Sequence, residues 1–216
     1  MRNYPGQTPD HASGQALETE EASPVQSTET VIIRPAQLSD VPAMLRLING
    51  YADKKIMLPR TELELCESLR DFSVAKVKGE IVGCGALHFY TMQIAEMRSL
   101  AVEPSRTRSG LGAEIARELI EQARQFGVAA VFAFTYVPHF FEKIGFKYVD
   151  RSKLPLKAWK DCLRCPMFNA CDEIAMAYFV SPDAEAEMAV EPPAEPYVEG
   201  PFVMPTMGQP RILDKS

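Results

Sequence analysis

The chain has 216 residues, enough for one ordinary domain with length to spare, and its 46% apolar and 24% charged residues suit a protein with a core. The formal charge of -6 is uneven: residues 1–30 hold 5 acids against 1 base, 181–216 hold 7 against 2, and the middle holds 17 acids and 20 bases. A mildly basic middle suits an anionic ligand and makes no case for nucleic acid; with no apolar leader at Met1–Gly6 and no run of membrane-spanning length, a cytoplasmic protein is expected.

Residues 1–29 and 181–216 are rich in Pro, Glu, Ala, Ser and Thr, and both are expected to be disordered tails around a single domain at 30–180. Within that domain Val31–Arg34 reads as a strand stopped by Pro35. Ser39-Asp40 starts a helix whose buried face carries Val41, Met44, Leu45 and Ile48. A loop from Ala52 to Arg60 follows, and Thr61 with Glu64 has the spacing of a capping box for a second helix. Strands are expected at Phe72–Val77, from Ile81 to about Tyr90, and at Ile94–Val102. A long helix opens after Ser105–Gly112, with Leu111, Ile115, Leu119, Ala123 and Phe126 on one face and Gly127 as its stop. Val128–Thr135 is an apolar strand, Pro138 to Gly145 bounds a short helix, and Phe146–Val149 and Ile174–Val180 are two further strands. The order β-α-α-β-β-β-α-β-α-β-β predicts an α/β fold, a mixed sheet with helices on its faces.

Five cysteines in a chain without an export signal point to reduced thiols. Cys66 and Cys84 stand among apolar neighbours and read as small core residues. Cys162-x-x-Cys165 with Cys171 is half of a zinc pattern lacking a fourth good ligand, so a metal-free loop is expected, with zinc as the alternative.

The segment from Val102 to Gly112 runs strand, glycine-bearing turn, helix. That arrangement aims several backbone N–H groups and the positive end of a helix at one place, which makes an anion site. It lacks the third glycine of a dinucleotide fingerprint and the Lys-Ser or Lys-Thr of a Walker loop. It resembles the pyrophosphate loop of the GNAT acetyltransferases, usually Arg/Gln-x-x-Gly-x-Gly/Ala, matched here by Thr107, Arg108, Ser109, Gly110, Leu111 and Gly112. Thr107 departs from the Arg or Gln of the family, and Arg106 and Arg108 flank it.

Phe140-Phe141-Glu142-Lys143-Ile144-Gly145-Phe146 is similar to the family's aromatic-Tyr-Glu-Lys-x-Gly-Phe segment beside the coenzyme thiol. The resemblance covers roughly Val31 to Val180 and implies a GNAT-type, mixed, mostly antiparallel central sheet flanked by helices. Leu58–Thr61, Arg70–Phe72, Ala95–Val102, Lys157–Cys162 and Cys171–Met176 are similar to short, stand-alone N-acetylglutamate synthases. That likeness implies acetyl-CoA as co-substrate and an amino-acid acceptor, glutamate or glutamine, with glutamate leading into arginine biosynthesis. It leaves open whether the protein is a homodimer.

An α-amino group is mostly protonated at neutral pH and attacks a thioester only when neutral, so a base is required. The resemblance assigns that role to Glu96. It assigns backbone contacts with the pantetheine arm to Leu100, Ala101 and Val102, with the oxyanion donor near Leu100. The family's general acid is a tyrosine where this chain has Phe141, which lines the coenzyme without donating a proton; Tyr136 or water is left for that step. A dicarboxylate acceptor needs cations, and Arg98, two residues from Glu96 on the same strand face, is the first candidate, with Arg60 and Lys157 behind it. His88 and His139 read as bystanders. Competing readings are a GNAT enzyme acting on a peptide N-terminus or polyamine, and a non-catalytic acyl-CoA sensor.

Overall fold

The computed structural model describes residues 29–154 and 173–189; Lys157 and Cys162, Cys165 and Cys171 lie outside the described residues. A meander of antiparallel strands forms one half of the sheet: β1 (Val31–Pro35), β2 (Phe72–Val77), β3 (Glu80–Phe89) and β4 (Ile94–Val102). The other half comprises β5 (Ala130–Thr135), β6 (Lys147–Tyr148) and β7 (Ile174–Phe179), in the overall order β1-β2-β3-β4-β5-β7-β6. The pairing of β4 with β5 is parallel, and all others are antiparallel. The mixed, mostly antiparallel sheet is thus as expected.

The helices follow the apolar periodicity: α1 (Val41–Ala52), α2 (Glu62–Glu67), α3 (Leu111–Gln125) and α4 (Pro138–Lys143). The Thr61 box closes as the spacing requires, with Glu64 N donating to Thr61 Oγ1 at 3.2 Å and Thr61 N donating to Glu64 Oε2 at 2.8 Å. Asp40 does not cap α1 with its side chain. Its carboxylate accepts both arms of Arg34, at 2.7 and 2.9 Å, and the amide of Gln37 at 2.8 Å. The bidentate guanidinium holds the Asp40 carboxyl below the usual carboxylate range, against its burial.

The α3 face carries the largest core cluster, including Leu87, Met97, Ile115, Leu119, Val131, Phe141 and Met176. α3 lies close on β3 because Gly83 and Gly85 have no side chains. A Cβ at Gly83 would stand 2.7 Å from Ile115 Cδ1, and one at Gly85 3.0 Å from Leu119 Cδ1. The opposite face is divided. One apolar cluster, with Met44, Ile48, Leu65, Val74 and Cys84, lies under α1 and α2; another, with Phe132, Val149, Leu154, Ala177 and Met188, covers the far half of the sheet.

Two expectations are corrected. The chain does not leave the fold at Val180: Pro182–Met188 form a further helix, α5, and its buried Met188 joins the second of those clusters, while Ala189 bridges to Val149. Cys66 is exposed, since the short α2 turns Leu65 inward; Cys84 is buried, and burial pushes its thiol up to about 12. Among the described residues no helix is long and apolar enough to cross a membrane.

Candidate active site

Two departures from regular pairing in β4 shape the region. Between Arg98 and Ala101 the strand holds one residue more than β3 opposite, where Cys84 faces Ala101 and Ala86 faces Arg98. Ser99 takes up the bulge in the left-handed region, with φ of 53°. The extra residue reverses the inside-out alternation. Leu100 and Val102 pack toward α3, although Glu96 and Arg98, of the same parity, lie on the divided face. Cys84 Sγ meets the Ser99 carbonyl at 3.8 Å, and Tyr51 Oη donates to the Val102 carbonyl at 2.6 Å, fixing the strand on either side of Leu100.

The second departure is a fork. β4 and β5 pair only at Ile94, Ala95 and Glu96 with Ala130, Val131 and Phe132, although both strands continue. Beyond Glu96 their main chains separate, leaving backbone groups of β4 from Met97 onward turned to a gap that an extended ligand fits as a strand does.

At the base of this fork, between the two apolar clusters, lies a polar group. Tyr90 Oη donates to Glu96 Oε2 at 2.8 Å, and the Tyr90 ring packs on Phe132 with centroids 5.7 Å apart. Arg98 stands between two carboxylates, Glu96 and Asp71, each at 3.9 Å. Asp71, at the end of the 3-10 turn Leu69–Asp71, also contacts His88 Nδ1 at 2.6 Å. His88 is the cross-strand partner of Glu96, so it belongs to the cluster. The side chains of Glu96 and Arg98 are 11% and 14% exposed; those of Asp71 and His88, at 22% and 34%, are the ones open to solvent. Tyr90 lies outside any motif and Asp71 sits within Arg70–Phe72; the β2–β3 and β3–β4 registers bring them here.

The turn after β4 is built as its glycines suggest. A 3-10 turn at Pro104–Arg106 leads into Arg108 and Gly110, both with positive φ (66° and 90°), and Gly110 caps α3. Of the amides expected to face an anion, that of Ser109 already donates to the Arg106 carbonyl at 3.3 Å and that of Leu111 to Ser109 Oγ at 3.4 Å, both long. Thr107 Oγ1 is tied to the Pro104 carbonyl at 2.9 Å. Gly112 faces the Phe140 ring and Val102, where a Cβ would sit at 3.6 Å, ordinary contact distance.

The remaining candidates are less central. Phe141, 6% exposed, is packed edge-on between Phe140 and Phe146, inside the α3-side core. Tyr136, 39% exposed, lies past the end of β5, four residues beyond the partner of Glu96, or about 13 Å along the strand. Arg60 is carried by a loop clamped to α1, its amide and carbonyl both bonded to the Asn49 side chain at 2.9 Å. Among the described residues no three His, Cys, Asp or Glu side chains form a group that could hold a metal ion.

A family model described as the acetyltransferase (GNAT) family matches residues 43–146, from α1 through α4. An uncharacterized N-acetyltransferase of Chlorobaculum tepidum is 43% identical over 148 residues, 67% of this chain and 93% of the relative. An amino-acid acetyltransferase of Mycobacterium tuberculosis is 31% identical over 150 residues, 68% of this chain and 86% of the relative. Among solved structures, the N-acetylglutamate synthase of Neisseria gonorrhoeae, complexed with coenzyme A and N-acetyl-glutamate, superposes with a TM-score of 0.65 at 26% identity. That match covers 70% of this chain and 35% of the synthase, so the chain spans about a third of that longer protein. A Mycobacterium tuberculosis protein solved with CoA and a second ligand gives 0.61 at 30% identity, covering 69% and 99%.

Proposed function

Because the chain belongs to the GNAT acetyltransferase family and takes its acetyl group from acetyl-CoA, we propose that the acceptor is the α-amino group of L-glutamate, the opening step of arginine biosynthesis. The observation that carries this reading is the pair on β4: a carboxylate, Glu96, at the base of the fork and a guanidinium, Arg98, beside it on the same face. Relatives named amino-acid acetyltransferase and the synthase complexed with N-acetyl-glutamate support it.

In this reading the pantetheine arm enters the fork along Leu100, Ala101 and Val102. The diphosphate meets the turn from Thr107 to Gly112, where the amides of Arg108, Gly110 and Gly112 and the α3 dipole attract it. Glu96 removes a proton from the ammonium, directly or through one water, and the lone pair so exposed attacks the acetyl carbon. A backbone amide near Leu100 stabilises the oxyanion. Phe141 is packed in the core and carries no proton, so the departing thiolate is protonated by water or by Tyr136. Arg98 meets one acceptor carboxylate, with Arg60 and Lys157 as further cations for the other.

The test is thiol release from acetyl-CoA across a panel of amino acids, peptides and polyamines. Glutamate should be the best acceptor, and Arg98→Ala should raise its KM by tens to hundreds, about 2–4 kcal/mol, while that for acetyl-CoA stays near wild type. Preference for glutamine keeps the site and changes the acceptor. Preference for a peptide or polyamine, or binding of acetyl-CoA without turnover, rejects the reading.

A further inference from the structure

Acetyl transfer leaves a proton to place. The acceptor nitrogen enters as an ammonium and ends as an amide, so it sheds two protons. One ends on the sulfur of the leaving thiolate and the other must reach solvent. Glu96, 11% exposed, bonded to Tyr90 and beside Arg98, is poorly placed to pass a proton to bulk water itself.

Its cross-strand partner is better placed. His88 stands opposite Glu96 on the same face, where paired side chains lie about 4.5–5.5 Å apart at Cβ. Asp71 meets His88 Nδ1 at 2.6 Å, and a carboxylate at that distance takes the Nδ1–H, so the neutral ring keeps its lone pair on Nε2. A proton arriving at Nε2 leaves the Nδ1–H still donated to Asp71, the arrangement by which a carboxylate orients a catalytic imidazole. The His88 side chain, at 34%, is more exposed than those of Asp71, Arg98 and Glu96.

Resting on the acetyl-transfer reading, we propose that the Asp71–His88 pair is the proton exit of the site. Glu96 takes the ammonium proton, the C–N bond forms as the C–S bond breaks, and one of the two nitrogen protons goes to the thiolate. The other passes from Glu96, through one water, to His88 Nε2 and from there to solvent. Asp71 acts through His88 as a positioning residue.

Turnover of whichever amine the wild type acetylates best, compared with His88→Ala and Asp71→Asn, tests this. His88→Ala should lower kcat by tenfold to a hundredfold with the KM for acetyl-CoA unchanged. Imidazole at tens of millimolar should restore much of the loss in proportion to its concentration, which a packing defect would not allow. Asp71→Asn should lower kcat about tenfold. His88→Gln, which keeps side-chain bulk, should be as slow as His88→Ala, so a folding defect in the alanine variant leaves the test intact. An active wild type matched by His88→Gln, or a folded, slow His88→Ala indifferent to imidazole, overturns the exit alone. A wild type that acetylates no amine overturns the exit together with the reading on which it rests.

Discussion

The Tyr90 hydroxyl donates to Oε2 of Glu96 at 2.8 Å, across the base of the fork between β4 and β5. The bond fixes the direction in which the carboxylate faces. Glu96→Gln should cut kcat by about 10²-fold or more with little change in either KM, and recover in part at high pH, where the amine deprotonates itself. Tyr90→Phe frees the carboxylate to turn and should cost less, about three- to tenfold in kcat. Steady-state kinetics from pH 6 to 10 checks both.

Gly112 offers a clean test of the phosphate turn. A methyl group there meets Phe140 and Val102 at 3.6 Å, so Gly112→Ala should keep the melting temperature of the wild type. Calorimetry should find CoA bound nearly as well by that variant, since the family's loop admits Ala at this position, whereas a bulky residue, as in Gly112→Trp, should weaken binding at least tenfold, about 1.4 kcal/mol, in a folded protein. Gly110→Ala is a poorer probe, since its φ of 90° strains any L-residue and mixes folding with binding.

Arg34 and Asp40 tie β1 to the start of α1, and their contribution has a definite pH sign. The folded-state pKa of Asp40 is depressed, chiefly by the Arg34 hydrogen bonds, so the pair stabilises the fold above the ordinary carboxylate value near 4. That stability is lost as pH falls from there through the lower folded value. Asp40→Asn should cost about 1–3 kcal/mol at pH 7 and progressively less as the pH is lowered below 4, read from denaturant midpoints.

A chain ending at Val180 should be less stable than one ending at Ala189. The shorter form loses α5 and exposes the apolar cluster that Met188 covers, worth up to about 1.5–3 kcal/mol. A melting temperature about 3–10 °C lower is expected. Equal melting of the two forms would show that α5 adds nothing to the fold.

What could be read in the sequence, and what could not, divides along physical lines. The strands and α1 to α4 were legible because each carries a local period, as Leu111, Ile115 and Leu119 do along α3. The Thr61 box was legible for the same reason, its two bonds spanning three residues. Composition hid α5. The Pro and Glu that read as a tail are also the Pro at the first helical turn and the acids near a helix start, in Ser181-Pro182-Asp183 and Glu185. The site was legible only as far as β4. Glu96 and Arg98 share a strand face by alternation, whereas Tyr90 and His88 reach them through the β3–β4 register and Asp71 through the β2–β3 register, which no local period reports. The bulge at Ser99 was equally silent. A one-residue count across two strands decides that Leu100 faces α3, and the alternation alone assigns it to the other side.

The fork has a mechanical side as well. Strands β1 to β4 and strands β5, β7 and β6 are two plates whose backbone seam is three residue pairs long, closed at one end by the amides of Ala129 and Ala130 on the Gln93 carbonyl. Any change in the angle between the plates turns about that seam, and displacement grows with distance from it. Glu96 is the last residue on the seam, while Leu100 and Val102 lie farther out along the open arms. The mouth can therefore widen or narrow around what it holds while the carboxylate stays near the axis of rotation, where the lever arm is shortest.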